Sequence, residues 1–314
     1  MMPLKELSVP KLKSHSRSPN IYIGNTSICL KDNALKNKKR KQTKTNESRK
    51  KKCKMIGKAI RLERIMNRNT GRTVVIPLDH GFSMGQIEGL GDMPKIIADI
   101  SDGGANAIVL HKGMVKAGHR KHGRDIGLIV HLSASTSLNP DPNDKVMVCT
   151  VEEAIALGAD AVSVHINLGA PHESRMIEEA GKVSRECTKW GMPLLIMIYP
   201  RGNGVDPQSP QAIGHCVRVA EELGADLIKT SYTGDPESFK KITSACSVPV
   251  LIAGGEKAAD IESLETVREA ITKGGCAGVA LGRNSFQREN PKEFIRALCS
   301  VVHENKDPKE ALKL

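Results

Sequence analysis

Gly224-Ala-Asp-Leu-Ile228 ends a helix-like segment and begins a short apolar run, and three variants of it recur along this 314-residue chain. The variants are Gly104-Ala-Asn-Ala-Ile108, Gly158-Ala-Asp-Ala-Val162 and Gly275-Cys-Ala-Gly-Val279. Glycine at such a junction can take the left-handed conformation that ends a helix. The four junctions therefore indicate an internal repeat in which each copy contributes two strands.

Eight apolar runs follow Met55, and the four junctions precede every second one of them. The runs are rich in Val, Ile and Leu and lack alternation, which is typical of parallel strands buried on both faces. They are Thr73–Leu78, Ala107–Leu110, Gly127–Leu132, Ala161–Ile166, Pro193–Ile198, Asp226–Lys229, Pro249–Ala253 and Gly278–Leu281.

Helix-like segments separate most of these runs, and two of the segments carry clear start signals. Thr150 precedes Val-Glu-Glu-Ala, and Asp235 precedes Pro-Glu-Ser-Phe; both residue types cap helices, and proline suits the first helical position. About 250 residues with eight strand–helix units predict an α/β fold, a (β/α)8 TIM barrel. A doubly wound open sheet, the competing architecture, would not give this even spacing.

The net charge of +12 arises from the N-terminal segment. Residues 1–54 contain 16 Lys and Arg against 3 Asp and Glu, whereas the remaining 260 contain 31 against 32. Because the segment lacks apolar periodicity, we predict a disordered basic extension over residues 1–54 and a barrel domain over residues 55–314. The extension could also be a transit segment, translated upstream sequence, or a tail that touches RNA or an anionic surface. We interpret Met55 as the functional start.

Composition excludes several classes of protein. The eight cysteines form no CxxC pair, which argues against a zinc ribbon or a disulfide framework and for reduced thiols in the cytoplasm. No apolar run approaches the ~20 residues of a membrane span. Aromatic residues make up only 3% of the chain, which weakens any base-stacking hypothesis. We therefore expect a cytoplasmic protein without a membrane contact or a nucleic-acid partner.

Lys229 closes the apolar run Asp226–Lys229, where a strand buried on both faces should be apolar. An apolar pocket disfavours the ammonium form of a lysine, and the neutral amine can attack a carbonyl to form a Schiff base. The alternative is an ammonium group that reaches solvent at the end of the strand. Active sites of barrels lie at the carboxyl ends of the strands, which favours the Schiff-base interpretation.

Other polar residues collect at the same predicted end of the barrel. The phenol of Tyr199 can donate a proton and the carboxylate of Asp79 can accept one. Arg201 is suitably placed for an anionic substrate. The alternatives are a packing role for Tyr199, a helix cap for Asp79 and a surface charge for Arg201.

Two glycine-containing loops indicate a phosphate site. Gly254-Gly255 and Gly282-Arg283 follow the seventh and eighth runs, where barrels commonly bind phosphate. Glycine lets backbone N–H groups approach the anion, and arginine adds a charge-assisted hydrogen bond. The alternative is that these are ordinary turn glycines.

Four histidines end the first four runs: His80, His111, His131 and His165. They could bind a divalent metal, as in metal-dependent aldolases. A Schiff-base lysine replaces metal activation, however, so we expect no metal site. The histidines would then orient hydroxyl groups or hydrogen-bond one another.

These motifs together resemble the archaeal-type class I aldolase family over roughly residues 56–314, whereas residues 1–54 have no counterpart in it. The motifs are Pro77-Leu-Asp-His-Gly81, His111-Lys-Gly113, Met197-Ile-Tyr-Pro-Arg-Gly202, Lys229-Thr-Ser-Tyr-Thr-Gly-Asp235, Ala253-Gly-Gly255 and Gly282-Arg-Asn284.

The resemblance implies roles for individual residues. Lys229 would carry the Schiff base, Tyr199 would donate a proton and Asp79 would accept one. His80, His111 and His165 would support them. No metal or organic cofactor would be required. The residues implied to hold the phosphorylated substrate are Asp79, Tyr199, Pro200, Arg201, Lys229, Gly254, Gly255, Gly282 and Arg283.

The resemblance also implies an activity. It is a transaldolase-type transfer of a three-carbon unit from 6-deoxy-5-ketofructose 1-phosphate to L-aspartate 4-semialdehyde, on a route to 3-dehydroquinate and aromatic amino acids. The partners would thus be a phosphorylated keto-sugar, a small aldehyde, and further copies of the chain in a ring such as a decamer. The alternatives are a class I fructose-1,6-bisphosphate aldolase and, from a different class, a nucleic-acid-binding protein that acts through its basic extension.

Overall fold

The computed structural model describes residues 55–118, 125–255 and 258–313; the predicted basic extension, residues 1–54, lies outside the described residues. Eight parallel strands close into a barrel in the order β1-β2-β3-β6-β7-β8-β9-β10, which confirms the predicted (β/α)8 TIM barrel. The barrel strands are β1 Thr73–Pro77, β2 Ala107–Leu110, β3 Gly127–His131, β6 Ala161–Leu168, β7 Leu194–Pro200, β8 Leu227–Thr230, β9 Val250–Ala253 and β10 Gly278–Ala280.

Helices surround this barrel. They are α1 Ile56–Ile65, α2 His80–Met84, α3 Met93–Gly103, α4 Val151–Ala156, α5 Glu173–Trp190, α6 Pro210–Glu222, α7 Pro236–Ala245, α8 Asp260–Thr272, α9 Arg283–Phe286, α10 Pro291–Glu304 and α11 Pro308–Ala311. A short 3-10 helix, Lys112–Met114, follows β2. None of the helices in the described ranges is long and apolar enough to cross a membrane.

An antiparallel hairpin, which the sequence did not indicate, interrupts the barrel pattern between β3 and α4. Its strands are β4 Ser133–Ala134 and β5 Val146–Met147, and Ser133 pairs with Met147. We call residues 133–147 the mouth hairpin, because several of them line the cavity at the carboxyl end of the barrel.

The core has two layers because successive strand residues point to opposite faces. Along β8, Leu227 packs inside the barrel and Ile228 packs between the barrel and the helices. Lys229 has the same parity as Leu227 and therefore points inward. The same alternation turns Tyr199 of β7 inward, two positions beyond Met197.

Several local sequence signals are confirmed. The junction residues Gly104, Gly158, Gly224 and Gly275 all have positive φ, between 72° and 97°. Thr150 forms a capping box with Glu153 at the start of α4. The Asp235 side chain accepts a hydrogen bond from the Ser238 N–H at the start of α7.

Two strands are longer than predicted. β6 continues to Leu168 and β7 continues to Pro200, and the two pair over seven consecutive positions. Asn167 and Tyr199 thus lie within strands rather than after them. The barrel wall is consequently taller on this side than at β10, which has three residues.

Candidate active site

A cavity of about 750 Å³ opens at the carboxyl end of the barrel, where the prediction placed the site. Pro200 is buried at the end of β7 and, like Gly282, is not among the residues that line the cavity. The cavity brings together most of the candidate residues: Asp79, His80, His111, His131, His165, Tyr199, Arg201, Lys229, Gly254, Gly255 and Arg283.

Lys229 lies inside the barrel at the base of this cavity. Its neighbours in register are Met197 on β7 and Leu251 on β9, both of which belong to the inner core. The lysine is only 9% exposed. This burial contradicts the alternative in which its ammonium group simply escapes to solvent. The amine is therefore available to a molecule bound in the cavity and little exposed to bulk water.

Tyr199 stands two residues beyond Met197 on β7, the strand next to Lys229, and is 7% exposed. The His165 ring lies 5.1 Å from the Tyr199 ring, and His165 Nε2 is 2.9 Å from Asn167 Oδ1. Burial, followed by the charges of Lys145 and Arg201, holds the pKa of His165 well below its usual range. The tyrosine is thus fixed against a neutral imidazole.

Asp79 follows β1 and points into the cavity. It occupies the N-cap position of α2, but its side chain makes no capping hydrogen bond, so the helix-cap interpretation fails. His80 Nδ1 lies 3.6 Å from Asp79 Oδ1, and His131 Nε2 lies 3.9 Å from Oδ2. Burial raises the pKa of Asp79, but His131, His80 and Lys229 together hold the pKa below its usual value. The group is therefore a carboxylate at neutral pH and can accept a proton.

The histidines form contacts other than a metal cluster. His131 Nδ1 is 2.8 Å from Ser163 Oγ, and burial lowers the pKa of His131 to about 4. Burial also lowers the pKa of His80 and of His111, although Asp79 opposes it. Within the described ranges, no group of three or more His, Cys, Asp and Glu side chains is arranged to hold a metal ion.

The predicted phosphate loops lie side by side, after β9 and β10. Gly254, Gly255 and Arg283 line the cavity, and we call these three residues the anion cradle. Among the described residues, no backbone carbonyl accepts from the N–H of Gly255 or Arg283. These donors are therefore available to an anion. A Cβ atom at Gly282 would lie 2.3 Å from His80 Cε1, so glycine is required there by packing.

The mouth hairpin supplies residues that the sequence analysis missed. Ser133, Ser135, Asn143 and Lys145 all line the cavity. Lys145 is 8% exposed, and its Nζ donates to Ser135 Oγ and, at 3.0 Å, to the Pro142 carbonyl. Burial and then the charge of Arg201 lower the pKa of Lys145 to about 8. The only signal in the sequence was a lysine within a polar loop, which normally indicates exposure.

Comparison with known proteins agrees with this geometry. The profile of the DeoC/LacD family aldolases matches residues 73–288. The 2-amino-3,7-dideoxy-D-threo-hept-6-ulosonate synthase of Halobacterium salinarum is 44% identical over 256 residues, which cover 82% of this chain and 95% of the relative. The 2-amino-4,5-dihydroxy-6-oxo-7-(phosphonooxy)heptanoate synthase of Streptomyces griseus is 39% identical over 249 residues, covering 79% and 91%.

A solved structure gives a further likeness. An archaeal fructose-1,6-bisphosphate aldolase, whose catalytic Lys is covalently bound to the carbinolamine intermediate of the substrate, matches with a TM-score of 0.70 and 32% identity. The match covers 78% of this chain and 99% of that chain. The fold of this chain is therefore similar to that of a protein whose catalytic lysine binds its substrate covalently.

Proposed function

This chain belongs to the DeoC/LacD family of aldolases, and we propose that it joins a three-carbon unit held on Lys229 to an amino-acid aldehyde. The donor is 6-deoxy-5-ketofructose 1-phosphate, the acceptor is L-aspartate 4-semialdehyde and the product is 2-amino-3,7-dideoxy-D-threo-hept-6-ulosonate. The observation that carries the proposal is a lysine, 9% exposed, in a polar cavity that also contains Tyr199 and Asp79.

The first half of the reaction cleaves the donor. The Lys229 amine adds to the C5 ketone, and Tyr199 protonates the departing hydroxyl, so that water leaves and an iminium forms. Asp79 accepts the proton of the C3 hydroxyl while the C3–C4 bond breaks. The electron pair of that bond moves into the iminium, which becomes an enamine. The phosphorylated dicarbonyl fragment, C1 to C3, then departs.

The second half forms the new bond. The enamine carbon attacks the aldehyde carbon of the acceptor, the resulting alkoxide takes up a proton, and the iminium is restored. Water then hydrolyses the iminium, which releases the product and regenerates the Lys229 amine. The anion cradle holds the phosphate of the donor, and Tyr199 with His165 shields the imine from bulk water.

An amino-acid acceptor is favoured over glyceraldehyde phosphate by the relatives. Both curated synthases are named for products that carry a 2-amino acid end and a six-position ketone, and they are 39 to 44% identical to this chain. The archaeal fructose-bisphosphate aldolases with solved structures are 32 to 33% identical. Cleavage of fructose 1,6-bisphosphate is the second candidate because those structures share the barrel.

Borohydride trapping tests the proposal. The protein is incubated with the deoxy-ketose phosphate or with fructose 1,6-bisphosphate, reduced, digested and analysed by mass spectrometry. We expect a three-carbon adduct on the Lys229 peptide from the deoxy-ketose, and product release only when L-aspartate 4-semialdehyde is present. An adduct from fructose bisphosphate alone would instead assign the second candidate.

A matched pair of lysine variants controls this experiment. Lys229→Arg keeps the charge but cannot form the imine, so the adduct should vanish. Lys112→Arg changes an exposed lysine near the same end of the barrel, paired with Glu153 at 2.9 Å, and should leave the adduct intact. Loss of activity on chelation, with no adduct on Lys229, would contradict the proposal.

The proposal extends to the setting of the enzyme. We place the activity within residues 55–314, so a chain that starts at Met55 should retain it, and the basic extension should not be needed. We also propose a cytoplasmic homo-oligomer that serves aromatic amino-acid biosynthesis. Light scattering coupled to size-exclusion chromatography would give the number of copies, and a monomer would contradict the oligomer.

A further inference from the structure

A second buried lysine, Lys145, has no part in the chemistry above. It reaches the cavity from the mouth hairpin, and only 8% of it is exposed. Its ammonium group donates to a serine hydroxyl and a backbone carbonyl, both of them uncharged. A buried lysine is ordinarily paired with a carboxylate, because burying an unpaired charge is costly.

The hairpin is held firmly at its base. Asn167 Nδ2 of β6 donates to the Asn143 carbonyl at 2.7 Å. Arg175 of α5 forms an ion pair with Asp144 and donates to the Lys145 carbonyl at 3.2 Å. These anchors fix the backbone of residues 143–145, and the hydrogen bonds to Ser135 and Pro142 position the ammonium group before any ligand binds.

Lys145 shares its surroundings with a second cation, Arg201. Among the described residues, no carboxylate forms an ion pair with Lys145 or with Arg201. The Arg201 guanidinium lies over the Tyr199 ring, 4.8 Å from its centroid. Six titratable or charged groups interact electrostatically with Lys145: Asp79, His111, His131, Asp141, His165 and Arg201.

The mouth hairpin and the anion cradle follow strands on opposite sides of the barrel. The mouth hairpin follows β3, which stands opposite β9 in the ring of strands, and Gly254-Gly255 follow β9. Cationic side chains that line the cavity therefore come from both the hairpin and the cradle, Lys145 from the first and Arg283 from the second. The proposed reaction likewise brings two anionic groups to the cavity in turn: the phosphate of the donor, which leaves with its fragment, and then the carboxylate of the acceptor. We have assigned the cradle to the first.

We propose that Lys145, with Arg201 beside it, forms the subsite for the carboxylate of the acceptor aldehyde. This inference rests on the proposed function and adds to it the residue that selects an amino-acid aldehyde. The Lys145 ammonium donates to the carboxylate, and Ser135 holds the side chain in place. An aldehyde without an acidic group lacks this contact and binds weakly.

Steady-state kinetics of Lys145→Met test the subsite, with Lys112→Met as the matched control. Methionine retains most of the length of the lysine and removes its charge. We expect the acceptor KM to rise roughly 10- to 100-fold, the range for a hydrogen bond to a charged group. The donor KM and the borohydride adduct on Lys229 should not change. The control lysine is already paired with Glu153, so its loss should leave both KM values alone.

A neutral acceptor sharpens the test. The carboxamide analogue of the acceptor keeps the aldehyde and the amine but lacks the negative charge. The full-length protein should prefer the carboxylate, and Lys145→Met should lose most of that preference. Lys145→Arg should restore part of it. Ser135→Ala keeps the lysine but frees its side chain, so it should raise the acceptor KM several-fold and serves if Lys145→Met does not fold.

The outcomes separate this inference from the proposed function. A rise in the donor KM alone would assign Lys145 to the phosphate and overturn the inference. Loss of the Lys229 adduct in Lys145→Met would also overturn it, because the lysine would then act in imine formation. An unchanged preference for the carboxylate over the carboxamide would do the same. If the unmodified protein forms no adduct from the deoxy-ketose phosphate, the proposed function itself fails.

Discussion

The two sides of the barrel mouth are built differently. On the β9–β10 side, short loops directly after the strands present backbone groups and Arg283 to the cavity. On the β3 side, a 15-residue hairpin folds over the mouth and presents side chains, among them Lys145. The first side depends on glycines at set positions, and the second depends on how the hairpin is anchored. A contact made by backbone leaves a sequence motif, whereas one made by a folded insertion does not.

The largest effect should come from Tyr199, which lies between the two sides. Tyr199→Phe keeps the ring contacts with His165 and Arg201 but removes the proton donor, so kcat should fall about 10²- to 10⁴-fold. Both halves of the reaction should slow together. Single-turnover kinetics of donor cleavage and of acceptor addition check this expectation.

Tyr232→Phe is the control for that variant. Tyr232 follows β8 and does not line the cavity; its ring packs against Phe239. Removing the Tyr232 hydroxyl should therefore leave kcat unchanged. If Tyr199→Phe slowed only one half-reaction, the two sides of the mouth would have separate proton donors.

His131 ends β3, the strand from which the mouth hairpin departs, and should make stability depend on pH. Its pKa is about 4 in the folded protein and about 6.5 when unfolded. Between pH 6.5 and about pH 4, His131 is therefore protonated in the unfolded chain but neutral in the folded protein. The free energy of unfolding should therefore fall as the pH drops from 6.5 to 4, by on the order of 3 kcal/mol.

Denaturant unfolding at a series of pH values measures this effect. His131→Asn should reduce the dependence in that interval, to which His80, His111 and His165 also contribute, whereas His215→Asn, at an exposed position, should not alter it. Equal slopes for the unmodified protein and His131→Asn would show that burial of this histidine is not the cause.

Arg283→Met tests the cradle side alone. Removing one charge-assisted contact with the phosphate should raise the donor KM roughly 10-fold. The acceptor KM should be unchanged, which is the reverse of the result expected for Lys145→Met. Titration of both substrates measures the two constants, and a rise in both would mean that the two sides are not independent.

The smallest effect should follow from Arg175→Met, which releases the anchor of the mouth hairpin at Asp144. The Arg175 side chain is 41% exposed, so the free energy of unfolding should change by less than about 1 kcal/mol. The acceptor KM should nevertheless rise a few-fold because Lys145 is less well fixed. A stability loss of several kcal/mol would show that the hairpin supports the barrel itself.

The barrel was predictable because the apolar runs, the helix stops and the helix caps all indicate the same fold. Lys229 ends an apolar run, Gly224 stops the helix before it, and Asp235 caps the helix after it. The position of Asp79, Tyr199 and Arg283 in the cavity was also predictable, because each follows or ends a strand whose neighbours are apolar. In a barrel, the carboxyl ends of all strands meet at one face.

The mouth hairpin could not be predicted in the same way. Its strands have two residues each, too few to show alternation. Lys145 follows Asp141-Pro-Asn-Asp, a stretch that resembles an exposed turn, and becomes buried only when the hairpin folds back. The extra residues of β6 were missed because Asn167 is polar, and those of β7 because Pro200 is of a type that usually ends a strand.

The closed ring of strands has a consequence for the size of molecule that can react. The number and stagger of the strands fix the diameter of a barrel. While Arg175 and Asn167 anchor the mouth hairpin, Lys145 and Lys229 are therefore held a set distance apart. A homologue of the acceptor with one carbon fewer or more between carboxylate and aldehyde would present its carbonyl short of, or past, the enamine. The barrel would thus restrict the acceptor to one length of carbon chain.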